Sequence, residues 1–173
     1  MKIKTVFWGL AMAGVLASCS GAKLSVANEQ YARGEFYDAA QTYRKVYSKT
    51  NPRKERKLRG EVAFKMGECY RRINMAARSS AAYQNAIRYD YPDSMALFYL
   101  ARSQQFEGKY KDAIKNYQAY LETNPQSSLA KNGIRGCNLA VQWKETPTRY
   151  VVKKATILNL SLIHISEPTR QAE

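Results

Sequence analysis

Apolar residues along this chain recur at helical spacing, and the recurrence is interrupted at three matching places. Gly34-Glu35-Phe36-x-x-Ala39-x-x-x-Tyr43 returns as Asn74-x-Ala76-x-x-Ser79-x-x-x-Tyr83 and again as Gly108-x-Tyr110-x-x-Ala113-x-x-x-Tyr117. The second and third copies start 34 residues apart, the first and second 40. A period of this length marks a stack of helical hairpins, and the longer first interval predicts an insertion.

Each recurring residue has a mechanical reason. Gly34, Asn74 and Gly108 stand where one helix must stop and reverse, and glycine or asparagine takes the left-handed conformation such a turn needs. The small residue five positions on (Ala39, Ser79, Ala113) lets the second helix approach its partner, and the tyrosine four later lies on the same face. First helices are expected over residues 23–33, then Glu61 to Ile73 with Ala63, Met66, Gly67 and Tyr70 inward, then Ser94 to Glu107 with Leu97, Leu100 and Ala101 inward. Pro52, Pro92 and Pro125 follow the second helices, where proline ends a helix at little cost.

Ser127 or Ser128 is the expected cap of a last helix. Along it Leu129, Ala130, Ile134, Cys137, Leu139, Ala140 and Val141 run toward Trp143, which predicts a helix covering the open face of the third hairpin. Tyr150 to Leu158 alternates bulky and small residues and reads as a strand opening a further domain. The insertion, Thr50 to Arg59, carries five cationic residues. It reads as an extension of the next helix after Pro52, with either a solvated face or a surface for acidic partners or lipid headgroups.

With Met66-Gly67, Tyr70, Ala86 and Pro125 added to the turn pattern, the three units resemble tetratricopeptide (TPR) repeats. The fold this implies is all-α, a solenoid of three repeats plus a capping helix, followed by a short extended segment. Two positions depart from the family: Lys23 stands where the first repeat would have a tryptophan, and Gln104 where the third would have an aromatic residue. Terminal repeats are commonly atypical. The family register turns Asn28, Tyr31, Glu61, Phe64, Glu68, Arg71, Arg72, Phe98, Arg102, Gln105 and Phe106 toward a partner-binding groove. Aromatic rings and arginines together suit a peptide with apolar and acidic side chains. On this reading Arg71 and Arg102 are replaceable by glutamate without unfolding the domain. The carboxylate clamp of chaperone-binding TPRs is not reproduced as a whole.

The two ends differ from what lies between. Met1-Lys2-Ile3-Lys4, the apolar run Val6 to Val15 and Leu16-Ala17-Ser18-Cys19 have the layout of a secretory signal. Leu-Ala-Ser-Cys resembles the bacterial lipobox, which implies cleavage after residue 18 and lipid on Cys19. The segment Leu160 to Arg170 resembles the translation of a sequencing adapter. The expected organisation is therefore a signal peptide over 1–18, a lipid-anchored linker over 19–22, a TPR domain over 23–146, the start of a truncated domain over 147–159 and adapter-derived sequence over 160–173.

Composition narrows the chemistry. The chain has 28 Lys and Arg against 14 Asp and Glu, a net charge of +14, and setting aside both ends leaves the excess nearly intact. Such a charge suits nucleic acid, anionic membranes or acidic proteins; export makes nucleic acid the wrong partner. Cys69 and Cys137 lie two repeat steps apart, and repeats two steps apart do not normally touch; two unpaired, buried thiols are expected. The single histidine, His164, falls in the adapter-like segment. No Ser/His/Asp set, metal cluster or phosphate loop remains, so neither enzyme nor cofactor chemistry is expected. Glu61 and Glu68 share a helix face but sit among basic residues and read as ion-pair partners.

The order of lipobox, short TPR array and Tyr150-Val-Val-Lys-Lys-Ala-Thr-Ile-Leu-Asn159 resembles the PorE-like OmpA-family lipoproteins of Bacteroidota, associated with the type IX secretion system. That resemblance implies an outer-membrane protein on the periplasmic side, followed by propeller and peptidoglycan-binding domains. Its partners would be envelope proteins, the outer membrane through lipid on Cys19, and peptidoglycan only through the downstream domain. Two functions compete: a scaffold for an envelope or secretion complex, and an assembly factor that handles chains in transit, like the TPR lipoprotein of the outer-membrane β-barrel assembly machine.

Overall fold

The computed structural model describes residues 18–146. They form seven helices: α1 (Ser18–Ala32), α2 (Phe36–Lys49), α3 (Arg56–Arg72), α4 (Ala76–Arg88), α5 (Met95–Phe106), α6 (Tyr110–Thr123) and α7 (Ser128–Glu145). Each of the first five packs on the next in chain order, so α1/α2, α3/α4 and α5/α6 are three successive hairpins. No strand occurs among the described residues; the predicted strand at 150–158 and the adapter-like tail lie outside them. Residues 19–22, expected as a linker, fall in the first turn of α1. Residues 18–141 belong to one compact unit, and residues 142–146 to a second, of which only this last helical turn is described.

The three reversals are built alike. Gly34, Asn74 and Gly108 have φ of 81°, 57° and 75°. The amide after each reaches back to the last turn of the helix: Glu35 N–H to Gln30 O at 3.0 Å, Met75 to Tyr70 at 2.9 Å and Lys109 to Gln104 at 2.9 Å. This is the Schellman closure, which satisfies carbonyls that a helix end leaves unpaired. A fourth closes α4, where Asp90 takes φ 56° and Tyr91 N–H reaches Ala86 O at 3.1 Å. No sequence signal marks it, since aspartate visits this region only as a minority conformer.

Three apolar clusters follow one another along the stack, and each contains one of the recurring tyrosines. Tyr43 lies with Ala27, Ala39, Val62, Met66 and Tyr70. Tyr83 lies with Ala63, Phe64, Ala96 and Leu100. Tyr117 lies with Phe98, Ala113, Tyr120, Ala130 and Cys137. The small residues Ala39, Ser79 and Ala113 are wholly buried, as their spacing predicts. At Gly67 a Cβ would stand 2.8 Å from the Tyr83 ring, so only glycine admits that ring against α3.

The insertion is shorter as helix than expected, because α3 opens at Arg56 and not directly after Pro52. Asn51 organises the turn before it: its Oδ1 accepts from Arg53 and Lys54 N–H at 2.9 and 3.0 Å, and its own N–H donates to Glu55 at 2.7 Å. The last helix is capped by Ser127, whose Oγ accepts from Ala130 N–H at 3.3 Å. Its buried side is narrower than predicted. Ala130 and Cys137 are buried, whereas Leu129 is 67% and Trp143 66% exposed, because the core-facing positions of α7 fall three to four residues apart and skip both. Cys69 and Cys137 are unpaired and buried, as expected. Burial pushes the Cys69 thiol up to about 12, which leaves it without thiolate character.

Candidate functional site

The recurring tyrosines do more than fill space, because each hydroxyl reaches a polar residue on the first helix of its own hairpin. Tyr43 donates to Asn28 Oδ1 at 2.7 Å, and Tyr83 donates to the Glu68 carboxylate. Both acceptors stand fifteen residues before their tyrosine. In the third hairpin that place is held by Arg102, a donor only, and Tyr117 donates instead to Gln105 Oε1 at 2.9 Å, one turn further along. Asn28, Glu68 and Gln105 are thus held in place from below, and the first-helix face has fixed polar positions.

The middle position is charged. Glu68 accepts a two-pronged contact from Arg71, Nε at 3.1 Å and Nη2 at 2.7 Å, and the Arg71 guanidinium lies 4.4 Å over the Tyr99 ring of the next hairpin. Burial opposes ionisation of Glu68, but hydrogen bonds from Arg71 and Tyr83, with the charges of Arg71 and Arg72, outweigh it and lower its pKa. Tyr83 is held protonated by burial and by the same carboxylate. Arg71 is therefore the counter-ion of a buried carboxylate. Reversing its charge would expose Glu68 to repulsion, which corrects the expectation that Arg71 is replaceable without unfolding.

The predicted groove residues divide into two sets. Phe64, Glu68 and Phe98 are buried: Phe64 stacks on Tyr91 at 4.3 Å, and Phe98 packs against Tyr99, Tyr117 and Tyr120. They belong to the core and cannot anchor a ligand. Asn28, Glu61, Arg72, Arg102 and Phe106 are exposed, and Tyr31, Arg71 and Gln105 partly so. The exposed cations rest on rings. Arg72 lies 4.9 Å from the Phe36 centroid and 5.8 Å from that of Tyr31, Lys65 lies 4.8 Å from Tyr31, and Arg102 lies 5.9 Å from Phe106. Phe106 is 73% exposed. Next to it a cleft of about 370 Å³ opens between α3, α4 and α5, lined by Arg71, Asn74, Ala76, Ser79, Ser103 and Phe106. At its floor the buried Ser79 and Ser103 hydroxyls meet at 2.9 Å.

Several contributors were not singled out from sequence. Lys65 joins the cation and ring set, and Ser103 joins the cleft, because both depend on which neighbouring hairpin faces them. Spacing within one helix carries no record of that. A small cleft of about 180 Å³ beside Asn28 is likewise walled by α3 residues Val62 and Lys65. In the insertion, two of the five cations have structural partners. Arg56 pairs with Asp90 at 2.6 Å and donates to Arg88 O at 2.7 Å. Arg59 donates to Tyr47 O and Thr50 O at 2.7 and 2.6 Å and lies 3.9 Å over the Tyr47 ring. Arg53, Lys54 and Lys57 remain exposed. Among the described residues no cluster of three or more His, Cys, Asp or Glu could hold a metal, and no helix is long and apolar enough to cross a membrane.

Comparison with known proteins agrees with this geometry. Residues 61–94 and 95–127 each match the tetratricopeptide repeat family, and these are the second and third hairpins. Among solved structures the chain is similar to the first TPR of Spaghetti (RPAP3) bound to the HSP90 peptide SRMEEVD, at 17% identity and a TM-score of 0.58 over 71% of this chain and 93% of that one. The first TPR domain of human RPAP3 aligns at 19% identity and a TM-score of 0.58, covering 75% and 97%. The Sgt2 TPR domain from Aspergillus fumigatus aligns at 19% identity and a TM-score of 0.55, covering 79% and 91%. No curated protein matches the sequence. Residues 61–127 of the chain are tetratricopeptide repeats. Such scaffolds act characteristically by binding protein partners and not by catalysis.

Proposed function

We propose that this chain is a non-enzymatic docking module, in which the exposed face of α1, α3 and α5 receives an extended segment of a partner protein bearing acidic and apolar side chains. The observation that carries the reading is the set of exposed cations laid on aromatic rings: Lys65 and Arg72 around Tyr31 and Phe36, and Arg102 beside Phe106. A ring under a guanidinium fixes its plane and leaves its donors free for a carboxylate, while the cleft beside Phe106 is open to an apolar side chain. An acidic HSP90 peptide on a TPR of the same fold is consistent with this.

The setting we propose is the bacterial envelope. Leu16-Ala17-Ser18-Cys19 would place lipid on Cys19, and acyl chains in concert hold a protein at a membrane surface. The domain would then face the periplasm from the outer membrane, as a scaffold for an envelope or secretion complex of the PorE-like, OmpA-family kind. Peptidoglycan contact would come only through downstream domains.

A photo-crosslinking amino acid placed at Phe106 and, separately, on the far side of the stack at Gln118 tests the docking face in cells. Adducts to one envelope protein at Phe106, lost when Arg72 and Arg102 are both changed to glutamate, are expected. Equal adducts from both positions would refute the assignment. Incorporation of labelled palmitate that survives Cys19→Ala would refute the anchor alone.

A further inference from the structure

The second and third hairpins differ at one core position, and the difference opens a cavity. Tyr70 on α3 is buried with Val46, Met66 and Ala82, and Arg78 lies 5.8 Å from its ring centroid. The residue 34 positions later is Gln104. There, between α4, α5 and α6, lies a cleft of about 350 Å³ walled by Ile87, Leu97, Leu100, Gln104, Lys115 and Asn116. Its walls stand at the repeat positions of α3 and α4 residues around Tyr70, with different side chains. Leu97, Leu100 and Asn116 stand 34 residues after Ala63, Met66 and Ala82, and Asp112 at the rim stands 34 after Arg78.

The Gln104 side chain is drawn to one side, its Oε1 accepting from Asn116 Nδ2 at 2.7 Å. An amide leaves empty what a phenol ring fills in the preceding hairpin. The cleft shares no residue with the one beside Phe106. Ile87, Leu97 and Leu100 give it aliphatic surface for a ring, and the amides of Gln84, Gln104 and Asn116 make a largely polar remainder that suits a hydroxyl.

We propose that this cleft is a socket for a tyrosine side chain presented by a partner protein, seated as Tyr70 is seated one hairpin earlier. The charge at the mouth adds a second criterion. Lys115 lines the cleft and Lys111 stands one turn before it, both exposed, against the single carboxylate of Asp112. An acidic residue next to the tyrosine therefore matches the rim. This site extends beyond the first-helix face and does not depend on it.

The test uses the full chain with labelled methyl groups on isoleucine and leucine and the blocked dipeptide N-acetyl-Asp-Tyr-amide as probe. Saturable shifts at Ile87, Leu97 and Leu100 are expected, with none from N-acetyl-Asp-Leu-amide at equal concentration. Gln104→Tyr supplies the ring internally, so it is expected to weaken the probe at least about tenfold and to raise the melting midpoint by a few degrees, as cavity filling does. Should that variant fail to fold, Gln84→Trp at the exposed mouth is the second blocker. No saturable shift at these methyls, equal shifts from the leucine probe, or shifts that survive both substitutions would overturn the socket. A lowered midpoint in a folded Gln104→Tyr would overturn it as well, because the cleft would then not match a tyrosine.

Discussion

The second hairpin is fastened by charge and the third by neutral amides, although both follow one register. Under Tyr83 lies a carboxylate, Glu68, held ionised by Arg71, which in turn covers Tyr99 of the next hairpin. Under Tyr117 lies Gln105, and Arg102 is left free to point outward toward Phe106. The same periodic site thus holds a buried, ion-paired carboxylate in one repeat and an exposed cation in the next. Two arginines that the family register turns toward the same groove, Arg71 and Arg102, have different surroundings: one is the counter-ion of a buried carboxylate and the other is exposed.

Four experiments press on that contrast, taken from the largest expected effect to the smallest. Arg71→Glu is expected to cost about 3–5 kcal/mol of unfolding free energy, since it leaves a buried carboxylate unpaired beside a new like charge. Arg102→Glu is expected to stay within about 0.5 kcal/mol, as exposed substitutions do. Urea titrations of the two variants measure both, and equal losses would erase the distinction.

Gly67→Ala comes next. A methyl 2.8 Å from the Tyr83 ring forces the ring or the helix to move, for a loss of about 1–3 kcal/mol that the better helix propensity of alanine only partly offsets. Thermal unfolding of this variant shows it as a lowered midpoint.

Removing the hydroxyls compares the two fastenings directly. Tyr83→Phe takes a donor from a carboxylate and is expected to cost about 1.5–3 kcal/mol, while Tyr117→Phe takes one from an amide and is expected to cost about 1 kcal/mol.

The fourth is a pH series. Because the pKa of Glu68 is lowered by folding, its contribution is present above the ordinary carboxylate value of about 4.3 and is lost as pH falls through the lower folded value. Hydrogen exchange at acid pH should therefore accelerate in α3 and α4 before α5 and α6. In Glu68→Gln that order should vanish. Retention of the order in this variant would point away from Glu68 as its cause.

Much of this was legible in the chain. The left-handed turns at Gly34, Asn74 and Gly108, the buried Ala39, Ser79 and Ala113, the inward tyrosines and the unpaired cysteines all follow from spacing and side-chain size. The division of the groove residues was not. Phe64 and Phe98 occupy positions that the register turns outward, yet Tyr91 and Tyr120 cover them, from the loop before α5 and from α6. The ion pair of Glu68 follows from its basic neighbours, as expected, but that Tyr83 donates to it from the next helix and that it is buried were not legible. Leu129 was expected to be buried because it is apolar, but α7 presents a different stripe to Tyr117.

Local geometry belongs to the sequence here because turns, close approaches and helix periods are decided by residues within a few positions of each other. Which cation is spent on a buried carboxylate, which ring is covered, and where a missing aromatic leaves a cavity were decided only when the hairpins came together. Those outcomes depend on groups carried by other helices and loops, such as Tyr91 over Phe64 and Tyr120 over Phe98, whose meeting is set by how the helices pack.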